Sequence, residues 1–405
     1  MRTRLTRLFT EFFDNEQASG AVLLLCIAMS VAVANSPLGN NFAEILHAKV
    51  GIEAGGVHLK YGIGEWINDG LMAVFFLLIG LEIERELYVG ELAGIRNATL
   101  PVFAAIGGMV TPALLHFIFN HGTTTASGAW IPMATDIAFT LGMLALLGKS
   151  VPASLKVFVA ALAIIDDLGA IVVIALFYAH DLSFIYLGLS LGIFAGLLVL
   201  NRLGVRRLSF YLIPGAFMWY FMHMSGVHAT LSGVLLAFAI PFGNSPSPRG
   251  RGGRGGEGFP PGSHESPSYQ LERFLQRPVA FIVVPLFVLA NTGIILTDGW
   301  YRGLTSANGM GILAGLFLGK PLGIFLFSYI AVKLGMSRLP GDVSWGRIVG
   351  AGFLCGIGFT MSVFITLLAF DNPEVIQSSK VAILCGSLMA GTVGYLILKK
   401  NPKWG

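Results

Sequence analysis

Apolar residues in this chain come in runs of about 20, the length that crosses about 30 Å of hydrocarbon, and each run is closed by a polar or charged stretch. Twelve such runs are predicted as helical spans, at residues 18–35, 64–84, 98–119, 129–147, 153–178, 183–200, 209–223, 226–242, 278–296, 307–332, 347–369 and 379–398. Backbone in lipid must satisfy its own polar groups, so the pattern predicts an all-α polytopic membrane protein. Ahead of the first span, Leu5, Leu8, Phe9, Phe12 and Phe13 recur at helical spacing behind Arg2, Arg4 and Arg7. Residues 1–17 therefore read as an amphipathic helix on the inner membrane surface rather than a signal peptide.

Three connecting stretches have their own character. Residues 49–60 alternate about Gly55 and Gly56, which predicts an external β-hairpin, although a flexible loop fits the same stretch. A lone hairpin is marginal, so this one would pair with a second copy in a homodimer. Residues 244–271, rich in Gly, Pro and Ser, read as a cytoplasmic linker between the spans of 18–243 and those of 272–398, with 399–405 as a tail. The arginines of that linker resemble an RNA-binding repeat, but a solvated segment that sets topology fits better, and no nucleic-acid partner is expected.

Composition agrees with the pattern: 55% of residues are hydrophobic and 12% charged, with a mean hydropathy of +0.75. Charge then orients the chain. Of 26 basic residues, 21 fall on the side of the termini, Lys49, Lys60, Arg302 and Lys380 fall on the other, and Lys320 lies inside a span. The positive-inside rule puts both termini in the cytoplasm. Cys26, Cys355 and Cys385 sit in apolar runs without metal-site spacing and read as packing residues.

The candidate chemistry is the polar minority inside the spans. Asp166 and Asp167 stand side by side in AALAIIDDLGAIVVIALF, where carboxylates are costly and a functional site is the default reading. Asp136 follows Thr135 and Pro132 in the middle of span four, and Gly350, Gly352, Gly356 and Gly358 precede Thr360 and Ser362 in span eleven. Both are places where a helix can unwind, which membrane depth tolerates only beside protein or a cavity; a glycine-rich packing seam is the plainer account of span eleven. Spans three to five and ten to twelve run in opposite directions, and in each triplet the middle helix is the interrupted one. Lys320, halfway along span ten, needs a carboxylate neighbour, and Asp136, Asp166 and Asp167 are available at that depth.

Taken together, WINDGLMAVFFLLIGLEIERE, ATDIAF, AIIDDLGAI, SGVHATLSGV, LGKPLGI and CGIGFTMS resemble the NhaA family of sodium/proton antiporters, over nearly the whole chain. The resemblance implies inverted repeats, with broken helices four and eleven crossing at mid-membrane and Asp136 and Lys320 compensating the facing helix-end dipoles. It implies that Asp166 and Asp167 bind Na+ and protons, with Lys320 pairing Asp166 and Thr135 nearby. It also implies a bacterial inner-membrane protein that needs no cofactor, its partners being the transported Na+, Li+ and H+ and the bilayer. A carboxylate suits a hard cation, and a buried one can take either a proton or sodium, so competition couples the two ions. If two groups titrate per sodium, whether both aspartates or Asp167 with Lys320, exchange is electrogenic.

Glu82, Arg85 and Glu86, spaced i, i+3, i+4, and Glu272 match that family's pH-sensing region; a solvated, mutually paired face is the plain reading of the same residues. Arg273 and Gln276 stand where the family can carry histidines, which leaves the activation pH open. His228 is a candidate titrating residue near the outer face, or a hydrogen-bonded one, and Asp69 could equally be a helix cap. Two rivals are weaker. An intramembrane aspartyl protease has no use for a midplane lysine and lacks its Gly-x-Gly-Asp motif here. A sodium-coupled symporter of similar fold needs further polar residues in mid-span to line a substrate pocket, and the sequence has no such cluster.

Overall fold

The computed structural model describes residues 16–54, 57–179, 182–243, 266–295 and 299–400. The amphipathic N-terminus up to residue 15, the Gly55–Gly56 hairpin tip, the linker at 244–265 and the tail at 401–405 lie outside the described residues.

The chain is helical almost throughout. The first apolar run forms α1 (Glu16–Ala34), followed after a 108° bend by the short α2 (Gly39–His47). Strands β1 (Lys49–Ala54) and β2 (Val57–Gly62) then pair antiparallel, with Lys49 opposite Gly62 and Ala54 opposite Val57, as the alternation predicts. The succeeding helices are α3 (Ile63–Tyr88), α4 (Ile95–Asn120), α5 (Ile137–Leu147), α6 (Ala153–Phe177), α7 (Phe184–Arg202), α8 (Ser209–Met224) and α9 (Leu231–Ala239). After the linker come α10 (Pro267–Asn291), α11 (Ala307–Lys333), α12 (Trp345–Cys355), α13 (Phe359–Ala369) and α14 (Pro373–Lys399).

Helix starts are written into the sequence. Ser266 caps α10 by accepting from the Tyr269 amide (3.2 Å), with Pro267 in the first turn. Ser306 caps α11 through the Gly309 amide (3.0 Å), and Asn372 caps α14 through the Glu374 amide (2.9 Å) ahead of Pro373. A short polar acceptor followed by proline satisfies an orphan amide and presets the first helical φ.

Among the described residues, eight helices are long and apolar enough to cross a membrane, or ten when each bent pair is one span. Large apolar side chains such as Leu25, Phe184, Ile185 and Leu388 point outward, the surface that lipid covers in a multi-pass membrane protein. Two predicted spans have different bounds in the structure. Residues 225–230 form a turn with Gly226 at φ +78°, so span eight reduces to the nine residues of α9. Helix α10 in turn begins at Pro267, taking residues 267–271 out of the expected linker.

The chain divides into two compact units. The first holds residues 1–65, 95–173 and 284–405, and so gathers both triplets that the sequence singles out. In it α4 and α11 pack backbone to backbone, with Gly107 against Gly323 and Pro112 against Gly319. The second unit holds residues 66–94 and 174–283. There Gly233 of α9 meets the backbone of α3 at Ala73, Asn201 of α7 donates to the Ala239 carbonyl (3.0 Å), and Trp66 stacks on Trp219.

Candidate functional site

Two breaks in helical structure inside the first unit meet. Residues 126–133 form a tight 3-10 helix that gives way to extended backbone at Ala134 before α5 begins. Residues 356–358 separate α12 from α13 with a 49° bend. Across the gap the Asp136 amide donates to the Ile357 carbonyl at 2.7 Å.

The side chains around the gap settle the backbone groups that the breaks leave over. Asp136 caps α5, one oxygen accepting from the Phe139 amide (3.2 Å); its other oxygen accepts from the Thr360 amide (3.1 Å) in the first turn of α13 and from the Thr360 hydroxyl. One carboxylate thus faces two helix N-termini, where the backbone dipoles favour negative charge. At the opposite polarity, the Cys355 carbonyl at the end of α12 lies 3.0 Å from the Thr135 hydroxyl, and the Leu354 carbonyl accepts from Thr140 (3.2 Å).

The charged centre sits beside that carbonyl end. Lys320 of α11 pairs with Asp166 Oδ2 of α6 and donates to Thr135 Oγ1 at 2.9 Å. The Thr135 hydroxyl lies 2.7 Å from the same Asp166 oxygen, so its single proton serves either Asp166 or Cys355 at any moment. Asp166 Oδ1 is buried without a hydrogen-bond partner. Thr135, Asp136, Asp166, Asp167 and Lys320 are all 0–3% exposed. Three buried carboxyl groups therefore accompany one ammonium among the described residues. Asp136 is served by the two helix N-termini, so Asp166 and Asp167 share Lys320, and one of the two requires a proton or a bound cation.

The second unit carries a separate cluster near the end of α3. Arg85 bridges Glu272 of α10 (2.9 Å) and Glu86 (3.3 Å), with Gln276 3.5 Å from Glu272 and Glu82 one turn back along α3. A second buried acid of the cluster carries no mark in the sequence. Glu84 is 4% exposed and accepts from the Ser268 hydroxyl at 2.8 Å. In the sequence Glu84 is one of three alternate acids in a charged run, and nothing there marks which of them packs inward. The remaining candidates lie elsewhere in this unit. Asp69 lies inside the π-helical turn Trp66–Leu71, 3.6 Å from His223. His228 lies in the turn before α9, half-buried.

Comparison with known proteins adds a second line of observation. The family described as Na+/H+ antiporter 1 matches residues 10–398. The chain belongs to that family. Among its relatives, an Na(+)/H(+) antiporter NhaA of Flavobacterium psychrophilum is 53% identical over 396 residues, covering 98% of this chain and 97% of the relative. That of Dechloromonas aromatica is 53% identical over 399 residues, with 98% and 97% covered. That of Bordetella parapertussis is 46% identical over 401 residues, with 99% and 98% covered.

In this antiporter-family chain Thr360 is the other residue whose site contact the sequence left unassigned; it stood only as a polar position after a glycine run. Its hydroxyl and amide both serve Asp136. Thr360→Val keeps shape but removes one buried donor, which costs about 1–3 kcal/mol. The expected result is a lower thermal midpoint in detergent, with Thr360→Ser close to wild type. An unchanged midpoint in the valine variant would contradict the contact.

Proposed function

We propose that this chain exchanges Na+ or Li+ for H+ at Asp166 and Asp167, by alternating access of one site to the two sides of the membrane. The observation that carries the reading is the imbalance in the buried site, Asp166 and Asp167 against Lys320 alone. A neutralised state of that site is reached with protons or with a cation, and carboxylate oxygens suit a hard monovalent ion. Proton and sodium then displace one another, which couples their movement without simultaneous binding. Release of more than one proton per sodium, from both aspartates or from Asp167 with Lys320, makes the exchange electrogenic. Inward proton flow expels sodium when rocking exposes the site alternately.

The architecture we infer has twelve spans: the ten counted by length, with α8 and α9 as two shorter ones. It places both termini in the cytoplasm of a bacterial inner membrane, as the 21 basic residues on that side support. The opposed triplets then form inverted repeats, and the broken fourth and eleventh spans cross at Asp136. The Glu82, Arg85, Glu86 and Glu272 group supplies pH regulation on the cytoplasmic side, and the β1–β2 hairpin joins two copies externally.

The test is proton flux in reconstituted vesicles with an acid interior, followed with a pH dye while Na+, Li+ or K+ is added outside. Alkalinisation of the lumen by Na+ and Li+ but not K+ is the expected result. No response between about pH 6 and 9, a span bracketing the unperturbed histidine range, would overturn the reading and bring forward a sodium-coupled symporter.

A further inference from the structure

A histidine that the exchange mechanism does not use lies fully buried in the first unit. His116, near the C-terminal end of α4, is 0% exposed and lies about 12 Å, two helical turns, along α4 from Gly108. Gly108 is the position that faces the Lys320 side chain. Leucine or phenylalanine would fill the space around His116 without a polar group to satisfy, so the imidazole has to be explained by its bonds.

Those bonds join three helices. His116 Nε2 lies 3.0 Å from Asn308 Oδ1 on α11, and Asn308 Nδ2 donates to Ser379 Oγ on α14 at 2.7 Å. Because the Asn308 amide spends its nitrogen on Ser379, its oxygen accepts, and Nε2 of His116 carries the hydrogen. Nδ1 is buried without a partner, so the ring works through Nε2 alone. One turn on, Asn120 donates to the carbonyls of His116 (2.9 Å) and of Ala307 (3.0 Å), and accepts at Oδ1 from Thr125 (2.7 Å). Thr125 leads directly into the 3-10 segment 126–133, which Ala134 joins to Thr135 and Asp136.

The slot is shaped for the ring. A Cβ added at Gly311 would stand 2.8 Å from His116 Cδ2 and 2.7 Å from Asn120 Nδ2, closer than any side chain tolerates. From there the α4–α11 contact continues through Pro112 against Gly315 and Gly319 to Gly107 against Gly323. Backbones packed that closely have little freedom to slip except at their ends, and this network fixes one end.

We propose that His116 is a positioning residue for ion exchange: its Nε2–H, through Asn308, sets the register of α11 on α4 and so holds Lys320 and Thr135 against Asp166. The inference rests on the reading of Asp166 and Asp167 as the exchange site. Misregister costs the site its preformed geometry, so it weakens ion binding before it slows turnover.

The test uses the full-length protein in vesicles and compares His116→Gln, whose amide reaches near Nε2, with His116→Asn, whose amide stops near Nδ1, and with Gly311→Ala, which evicts the ring. His116→Asn and Gly311→Ala are expected to raise the Na+ half-saturation concentration about tenfold, the order of one buried hydrogen bond, with the maximal rate unchanged. His116→Gln is expected to stay near wild type. Thermal midpoints in detergent identify a variant that fails to fold, and if His116→Asn is one, Gly311→Ala carries the comparison. Wild-type half-saturation in a folded His116→Asn or Gly311→Ala protein would overturn the proposal, as would a glutamine variant as impaired as the asparagine one. Asp167→Asn in parallel separates the two failures: exchange that survives it removes the site reading, whereas exchange lost in it alongside an unshifted His116→Asn removes this inference alone.

Discussion

Asp167→Asn abolishes cation-dependent proton flux while leaving the protein folded, the largest functional effect expected of any single substitution. Asparagine matches aspartate in shape, and Asp167 is 1% exposed, so packing is preserved. The amide neither ionises nor takes up a proton, so in the proposed mechanism the site loses the group over which proton and sodium compete. The same competition fixes a pH dependence in the wild type. Protons occupy the site as pH falls, so the apparent affinity for Na+ weakens on acidification, by about tenfold per pH unit where one proton competes. Flux measured over a range of Na+ concentrations at several pH values gives both results at once. Undiminished exchange in the asparagine variant, or a Na+ half-saturation indifferent to pH, would contradict a shared site.

The second large effect is on stability. Lys320 is the ammonium that accompanies Asp166, both at 0% exposure. Removing one member of a buried pair leaves the other charge uncompensated, at a cost of about 3–5 kcal/mol. Lys320→Ala is therefore expected to lower the thermal midpoint in detergent as well as to impair exchange. The double variant Asp166→Asn with Lys320→Ala removes both charges and is expected to recover much of the lost stability. Thr135 retains the Cys355 carbonyl as its acceptor in that background. A single variant with wild-type stability, or a double variant no more stable than the single, would show that the ion pair does not hold α6 and α11 together.

The two units differ in what their buried polar groups do. In the first, polar side chains replace the backbone partners lost at two helix breaks: Asp136 collects amides, and Thr135 and Thr140 stand at carbonyls. The broken segments therefore satisfy their own backbone groups and leave Lys320, Asp166 and Asp167 to the proposed exchange. In the second, Arg85 is divided between Glu86 and Glu272, while Glu84 has a serine hydroxyl in place of a cation. More acids than cations in an enclosed place make that group sensitive to protons, as the proposed pH regulation requires.

By itself the sequence determined the fold class, the positions of most spans and the identity of the charged residues inside them, and it offered the hairpin beside a flexible loop. Each of these rests on local properties: length and apolarity of a run, alternation about two glycines, or the cost of a lone charge in lipid. The interruption near Asp136 was legible from Pro132, and that near Gly356 and Gly358 from the glycine run. What only the tertiary structure decided was which groups meet. For Lys320 depth left three candidate carboxylates, family resemblance pointed to Asp166, and the fold brings those two side chains together. Thr360 reached Asp136 across 224 positions, His116 reached Asn308 across 192, and Ser268 reached Glu84 across 184. Such pairs carry no periodic signal, because neither partner's neighbours in the chain record the helix that will pack against it. The length of a helix was likewise settled by its surroundings where the local pattern was weak, as at the turn that shortens α9. Local chemistry names the elements of this antiporter-family chain, and burial against distant segments assigns the work among them.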